Sequence, residues 1–455
     1  MGLAGARRGS RPPRGDRRRR DPGGDGGQVV ERYPGGRRVS ARIIRTYFVI
    51  TGLFNFAMSM IWGIDTLFKM GAGLDIQHVL LTNAAFTLGS MVFEIPTGVV
   101  ADTLGRRVSF LLCLATLFIT TLLYVAIAWR GWGFWAFVWV SVFLGLGYTF
   151  YTGAVDAWLV DALKATGYTE PLERVFARGQ MFFGGGMLVG TISGGLLGQI
   201  RLDIPYLVRA AIVVPLFVLA WREMPELGFT PRALELRRVP AEMRRVFVEG
   251  LSYGLKHPVV RPVMFASLVG MTFMIFGFYS WQRYFLDLLG RNLVWVDGVI
   301  SSLVGLSLIA GNALVTPLSR VIPTRTGLLM VSVAAQAVLT VACGLLTNFY
   351  VVVSLYLLYG VAIGLALPVK QAYLNAHIPS AQRATIISLD SMFGNTGGVI
   401  GQSVWGVVAR ARSIGVAWAW SGLTLLLGIP LYWIARRSDP HHDKLDAQTR
   451  RRTTD

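Results

Sequence analysis

Residues 94–107 read Glu-Ile-Pro-Thr-Gly-Val-Val-Ala-Asp-Thr-Leu-Gly-Arg-Arg, and they end a long apolar run. The stretch has one acid inside the apolar run, a second acid at its boundary, and a tight basic turn directly afterwards. An apolar run of about 20 residues is long enough to span a bilayer as a helix. The stretch therefore predicts the end of a membrane helix, followed by a short basic loop at the membrane surface.

The composition of the whole chain supports this interpretation. Of 455 residues, 53% are hydrophobic and 15% are charged, and the mean hydropathy is +0.52. A soluble domain of this length is less apolar, and the alternating pattern that a β-barrel requires is absent. We therefore predict an all-α transmembrane fold with twelve helices, at approximately 44–68, 79–101, 108–129, 134–157, 176–199, 205–221, 263–288, 294–317, 326–346, 349–369, 383–409 and 414–435.

A polar, basic segment separates the first six predicted helices from the last six. Such a layout is typical of two pseudo-symmetric halves. The predicted organisation is a disordered basic cytoplasmic N-terminus at 1–42, a six-helix bundle at 43–221, a cytoplasmic linker at 222–262, a second six-helix bundle at 263–436 and a cytoplasmic tail at 437–455.

The net charge of +19 is concentrated in the N-terminus, the central linker and the C-terminal tail. An even number of helices places these three segments on one side, and the positive-inside rule makes that side cytoplasmic. We interpret them as topology determinants that contact anionic lipid, and no nucleic acid is expected as a partner. The predicted location is the plasma membrane, with both termini in the cytoplasm.

Chemistry other than transport has little support in the sequence. Cys113 and Cys343 both fall inside predicted helices, where cysteine is a small packing residue, so no disulfide or metal site is expected. No phosphate-binding loop or clustered nucleophile is found, which argues against an enzyme, a cofactor and ATP-driven transport. A receptor that has lost transport activity is a further alternative.

The basic turn follows the pattern Gly-x-x-x-Asp-x-x-Gly-Arg-Arg, which is filled by Gly98, Asp102, Gly105, Arg106 and Arg107. This pattern resembles the signature of the major facilitator superfamily of transporters, in the loop between helices 2 and 3. The resemblance implies two six-helix bundles around a central cavity, alternating access to that cavity, and a carrier that works as a monomer.

The resemblance also implies a breakable latch on the cytoplasmic side. Asp102 is expected near the start of predicted helix 11, at Arg383, and Arg106 near an acid of predicted helix 4. Asp156 and Asp161 are the two candidate acids, and their five-residue separation turns only one of them toward the loop. The alternative is a basic turn that fixes topology beside a solvated acid.

Predicted helix 5 has glycines at every fourth position, and small residues at this spacing allow close helix packing. Gly186, Gly190, Gly194 and Gly195 resemble a motif of drug:proton antiporters, although Thr191 stands where that motif has a proline. The resemblance suggests antiport. Close packing without a further function is the alternative.

Three acids in the predicted helices are candidates for proton coupling, namely Glu94, Asp390 and Asp65. An ionised side chain in a bilayer costs roughly 2.5–3.5 kcal/mol on insertion scales, and burial of a carboxyl group favours its protonated form. For Glu94 a role in the gate is an equal alternative. For Asp65 the alternative is an ion pair with Lys69, one helical turn away.

Polar and aromatic residues near the middles of predicted helices are candidates for the cavity wall: Asn55, Tyr148, Tyr151, Gln282, Arg283, Asn395 and Gln402. Arg283 also has Asp287 four residues on as a possible ion-pair partner. The predicted function is proton-coupled efflux of hydrophobic or cationic small molecules, of the multidrug or antibiotic type. The alternative within transport is proton-coupled uptake of a nutrient such as a sugar or an organic acid.

Overall fold

The computed structural model describes residues 36–229, 248, 251–378, 383–440 and 443–444. In this part of the chain, ten helices are long and apolar enough to cross a membrane, and two further long helices complete the set of twelve. They are α1 (Gly36–Ser59 and Asp65–Gly71), α2 (Ile76–Leu104), α3 (Arg106–Arg130), α4 (Phe134–Thr149 and Ala154–Ala165), α5 (Leu172–Ile200), α6 (Ile204–Glu223), α7 (Val260–Leu289), α8 (Val294–Ala313 and Val315–Val321), α9 (Arg325–Leu345), α10 (Phe349–His377), α11 (Arg383–Ala411) and α12 (Ile414–Leu425 and Gly428–Ser438).

The predicted all-α fold is therefore confirmed, and the helices differ from the predicted runs mainly at their ends. Helix α10, for example, continues to His377, where the apolar run predicted an end at 369. Apolar runs mark the part of a helix inside the hydrocarbon layer, and a helix can continue beyond it. Four helices are interrupted, and in α4 the second segment starts after Gly153, whose φ of 74° is a left-handed conformation that favours glycine.

The helices pack in the same pairs in both halves. In the first bundle, α1 packs on α5, α2 on α4, and α3 on α6. In the second bundle the equivalent pairs are α7 with α11, α8 with α10, and α9 with α12. The two bundles meet along α2 with α11 and along α5 with α8. The predicted segment boundaries lie partly outside the described residues and stay predictions.

The glycines of α5 explain how closely the helices approach. A side chain at Gly186, Gly190 or Gly194 would collide with the backbone of α1, for example with the carbonyl group of Met60. A side chain at Gly195 would lie 2.9 Å from the Cα of Gly298 on α8. The glycine stripe thus has a packing role, within the first bundle and between the bundles.

Candidate functional site

A cavity of about 520 Å³ lies between the two bundles. Aromatic side chains from both bundles form much of its wall, among them Trp62, Phe86, Trp281, Tyr356 and Tyr359. No charged side chain lines it among the described residues, and its polar lining side chains are those of Thr87, Ser90, Ser301, Asn395 and the tyrosines. A cavity of this kind stabilises apolar ligands by burial, with a few polar groups available for orientation.

A smaller recess of about 210 Å³ adjoins the cavity, and Trp62, Phe86, Phe278 and Tyr279 line both spaces. Its polar wall is a hydrogen-bonded cluster in the first bundle, composed of Asp65, Lys69, Asn83 and the nearby Tyr206. The Lys69 ammonium donates to Asp65 Oδ2 at 2.8 Å and to Asn83 Oδ1 at 2.5 Å, and the Tyr206 hydroxyl donates to Asp65 Oδ1 at 2.9 Å.

The cluster confirms the ion pair expected between Asp65 and Lys69. Lys69 is 1% exposed and Asp65 is 8% exposed. Each charge is therefore neutralised by a buried partner, which is the condition under which ionised groups are tolerated away from water. The recess accordingly offers polar surface next to the cavity without a net charge from this pair.

The bundles are joined at the end of the molecule that contains Asp75 and Arg410, which we call the far end. Gln282 accepts a hydrogen bond from the Thr66 amide at 2.9 Å and donates one to the Trp62 carbonyl at 2.7 Å. Further links across the interface are Thr191 to Ser302 at 2.7 Å, Gln199 to the Asn292 carbonyl at 3.1 Å, and Arg410 to Asp75 at 3.3 Å. These links close the far end.

The opposite end contains Asp102 and Arg106, and we call it the motif end. Between described residues, the hydrogen bonds and ion pairs at this end join side chains of one bundle only. Arg106 pairs with Asp102 at 2.7 Å, one turn away, and lies 4.0 Å from Asp161. Asp156 instead accepts a hydrogen bond from the Tyr47 hydroxyl at 3.0 Å. The sequence predicted that only one of these two acids of helix 4 faces the loop, and the position of Asp161 beside Arg106 agrees with that prediction.

Between described residues, no hydrogen bond or ion pair joins Asp102 to the start of α11 in this conformation. Asp102 lies beside Arg106, and Arg383 is exposed. Gly98 has no neighbouring atoms within 4 Å of where a side chain would start, while Gly105 lies against Glu226, which also accepts a hydrogen bond from the Arg107 amide at 2.5 Å. The arginines of the motif thus contact their own bundle, and the latch between bundles stays a prediction for a conformation in which the motif end is closed.

The remaining two coupling candidates lie toward the motif end. Glu94 is exposed and forms no side-chain hydrogen bond or ion pair with any described residue, whereas the sequence suggested a buried acid. Asp390 is buried, accepts a hydrogen bond from Ser267 at 2.6 Å and pairs with Lys370 at 2.8 Å. Sequence reasoning missed Lys370, although a lysine in an otherwise apolar helix was the signal for it.

Two of the seven cavity candidates line the two spaces. Asn395 lines the cavity, and Tyr148 lines the recess. Gln282 lies at the far-end interface, and the others lie elsewhere: Asn55 donates to the Thr51 carbonyl, Tyr151 stacks on Phe54, Gln402 donates to the Gly398 carbonyl and Arg283 pairs with Asp287. One sequence cannot show which face of each helix points inward, and this limits such a selection.

Two charged residues inside the bundles were also missed. Arg209 on α6 is 1% exposed and contacts the sulfur of Met58 at 3.1 Å. Asp297 on α8 is 0% exposed, and neither of its carboxyl oxygens has a hydrogen-bond partner among the described residues. A single charge within an apolar run was the available signal in both cases.

A cavity between two equivalent six-helix bundles, closed at one end, defines a polytopic membrane carrier. The sequence model of the Major Facilitator Superfamily matches residues 47–299 and 296–454, and the chain belongs to this family. It is accordingly a multi-pass membrane transporter and not an enzyme.

Solved structures of transporters share the fold. A mutant of the peptide transporter POT is 15% identical, with a TM-score of 0.71 over 90% of this chain and 99% of that chain. The nucleoside transporter NupG is 14% identical, with a TM-score of 0.69 over 87% and 98%. A D-xylose-proton symporter is 13% identical, with a TM-score of 0.65 over 86% and 97%. No curated protein sequence matches the chain.

Proposed function

We propose that this chain exports a hydrophobic small molecule by alternating access, driven by proton movement in the opposite direction. The observation that carries the proposal is the cavity between the bundles, whose described lining is aromatic and aliphatic and carries no charge. Burying about 300 Å² of apolar ligand surface there would contribute roughly 7 kcal/mol, before the costs of binding are subtracted. Affinity that comes from burial of apolar surface depends little on the particular chemical groups of the ligand, so it suits chemically varied apolar substrates.

The lining favours a neutral substrate over a cationic one. Away from water a cation needs compensation from a negative charge or from aromatic rings, and the described lining of the cavity offers only the weaker of these, the aromatic rings. The nearest acid in the adjoining recess, Asp65, is already paired with Lys69. We therefore narrow the expected hydrophobic or cationic substrates to hydrophobic molecules with little net charge.

An opening of the cavity at the motif end fits the substrate-loading step of the proposed exporter. The far end is closed by links between the bundles, and the motif end has none between described residues. If the positive-inside rule holds, the motif end faces the cytoplasm and this conformation accepts substrate from inside the cell. Closing of the motif end would bring Asp102 to the start of α11 and open the far end, which completes the cycle proposed here.

For the proton we propose Asp390 as the principal site, with Glu94 as a gate residue. Protonation of Asp390 would release Lys370, which is now held at 2.8 Å, and so change the local charge of the second bundle. Glu94 is exposed and lies toward the open motif end in this conformation, which suits a residue of the gate.

Uptake of a polar nutrient is the second candidate, and the recess favours it. Asp65, Lys69 and Asn83 present hydrogen-bonding groups next to the cavity, and the amide nitrogen of Asn83 has no partner among the described residues. Solved structures with the same fold include a D-xylose-proton symporter and a peptide transporter, at 13–15% identity.

Flux in proteoliposomes with an imposed pH gradient would separate the two candidates. We expect a neutral hydrophobic dye to move against the proton gradient, while labelled sugars, organic acids and peptides do not move. Ile363→Asp puts a charge into the cavity wall and should lower dye flux at least tenfold, whereas the apolar Ile363→Val should retain it. Flux of a polar solute with the proton, and none of the dye, would overturn the export proposal.

A further inference from the structure

We propose that Asp297 is a proton-operated lock on the far-end gate, so that the gate closes when its carboxyl group is protonated and opens more readily when it is ionised. The proposal rests on the alternating access proposed above. It does not depend on the substrate or on the direction of transport.

Asp297 lies where the two bundles meet. It is in the first turn of α8, and its backbone carbonyl group would be 3.4 Å from a side chain added at Gly63, in the interruption of α1. The next residue, Gly298, packs against the backbone of α5: a side chain there would lie 2.6 Å from the Thr191 carbonyl oxygen and 3.1 Å from the Cα of Gly195. Opening of the far end must separate these backbones.

The side chain of Asp297 is enclosed without compensation. It is 0% exposed, and both of its carboxyl oxygens are without hydrogen-bond partners among the described residues. Two other buried acids of the helices, Asp65 and Asp390, differ because each has a lysine and a hydroxyl group as partners. A buried carboxylate that lacks such partners is strongly disfavoured, and the neutral acid is the form that fits this position.

No neighbouring charge offsets this effect. Among the described residues, no charged side chain forms an ion pair or hydrogen bond with the carboxyl group of Asp297. Toward the far end, the titratable groups beside α8 are paired with each other, exposed, or neutral tyrosines. Asp65 pairs with Lys69 on α1, Arg201 with Asp203 after α5, and Arg283 with Asp287 on α7, while Arg291 before α8 is exposed and Tyr356 and Tyr359 lie on α10.

A single titrating group then couples the gate to pH. In the closed gate Asp297 is protonated, and water reaches it once α1 and α5 move away from α8. When a gate opens and Asp297 ionises, one proton is released. The ratio of open to closed gates therefore rises with pH by up to about tenfold per pH unit, between the ionisation of the wetted and of the buried acid.

Distances across the far end would test this in the full-length protein in lipid nanodiscs, without substrate. Spin labels at Arg130→Cys and Thr347→Cys, in a Cys113→Ser/Cys343→Ser background, place one exposed probe on each bundle. Between pH 5 and pH 9 we expect the long-distance population to grow as the pH rises. Asp297→Asn, which is always neutral, should hold the short distance throughout.

Asp287→Asn is the matched control, since it removes an exposed acid near the same end. It should retain the pH response. If Asp297→Asn does not fold, Asp297→Glu keeps a titratable group and should keep a response with a shifted midpoint. A pH-independent distance in the unsubstituted protein, or an unchanged response in Asp297→Asn, would overturn the proposal. Failure of dye export would not, since no substrate is present in this measurement.

Discussion

The two ends of this transporter are held together in different ways. At the far end, side chains and backbones of one bundle bond to those of the other, as in Gln282 with Trp62 and Thr66. At the motif end, the conspicuous charges of the signature bond within their own bundle, as Arg106 does with Asp102. The part of the sequence with the strongest signal is therefore not the part that stabilises this conformation. A carrier needs such an asymmetry, because a molecule bonded equally at both ends could not open either of them.

The largest effect is expected from Lys69→Met, because it leaves the buried Asp65 near the far end with the Tyr206 hydroxyl but without a compensating positive charge. Removal of one member of a buried pair costs about 3–5 kcal/mol. At the motif end, Arg106→Met breaks a pair whose side chains are 22% and 30% exposed, and it should cost about 1 kcal/mol or less. Chemical denaturation in detergent measures both, and equal losses of stability would contradict the difference in burial between the two ion pairs.

Gly298→Leu should be next in size, because a side chain there collides with the backbone of α5 at the closed interface. Overpacking of this kind costs about 1–3 kcal/mol, which would shift the gate toward the open form by roughly 5- to 150-fold. Gly184→Leu is the matched control, since no atom lies within 4 Å of its added carbon. The spin-label distance across the far end reports both variants, and a closed gate in Gly298→Leu would refute the interface.

Thr191→Val removes one hydrogen bond between the bundles, from Thr191 to Ser302. Because such a hydrogen bond contributes about 1 kcal/mol net, its loss should raise the ratio of open to closed far ends roughly fivefold. Thr103→Val removes a hydroxyl that bonds only within α2, and it should leave the far-end distance unchanged. A shift of the same size in both variants would show that the effect is not specific to the interface.

Asp102→Asn should have the smallest effect on the far end. In this conformation it loses only a partly exposed pair with Arg106. Its consequence is expected in the conformation with a closed motif end, where the interaction with the start of α11 is worth roughly 0.3–1 kcal/mol. A probe pair across the motif end should then show fewer closed molecules. An unchanged motif-end distance would leave the signature a topology determinant and remove the latch.

Much of the fold was readable from local patterns. Apolar runs predicted twelve helices, and the basic linker predicted two halves, because each pattern reflects a direct transfer of residues between water and lipid. The site was less predictable. Asn395 and Tyr148 were selected from helix middles and do line the two spaces, while Gln282 bonds at the interface. Which face of a helix turns inward depends on the helices packed around it, and the residue pattern of a single sequence does not identify those neighbours.

The sequence by itself determined that this chain crosses a membrane repeatedly, that it divides into two halves, and that its family is the one indicated by Gly98, Asp102 and the basic turn. Hydrophobicity and residue spacing suffice for these conclusions because they act along the chain. Only the tertiary structure decided which end is closed, and, for the described residues, that the cavity wall is uncharged and that Asp297 is enclosed without a partner. These properties arise where helices distant in sequence pack together. The burial of a side chain depends on all the helices around it and not on its own segment alone.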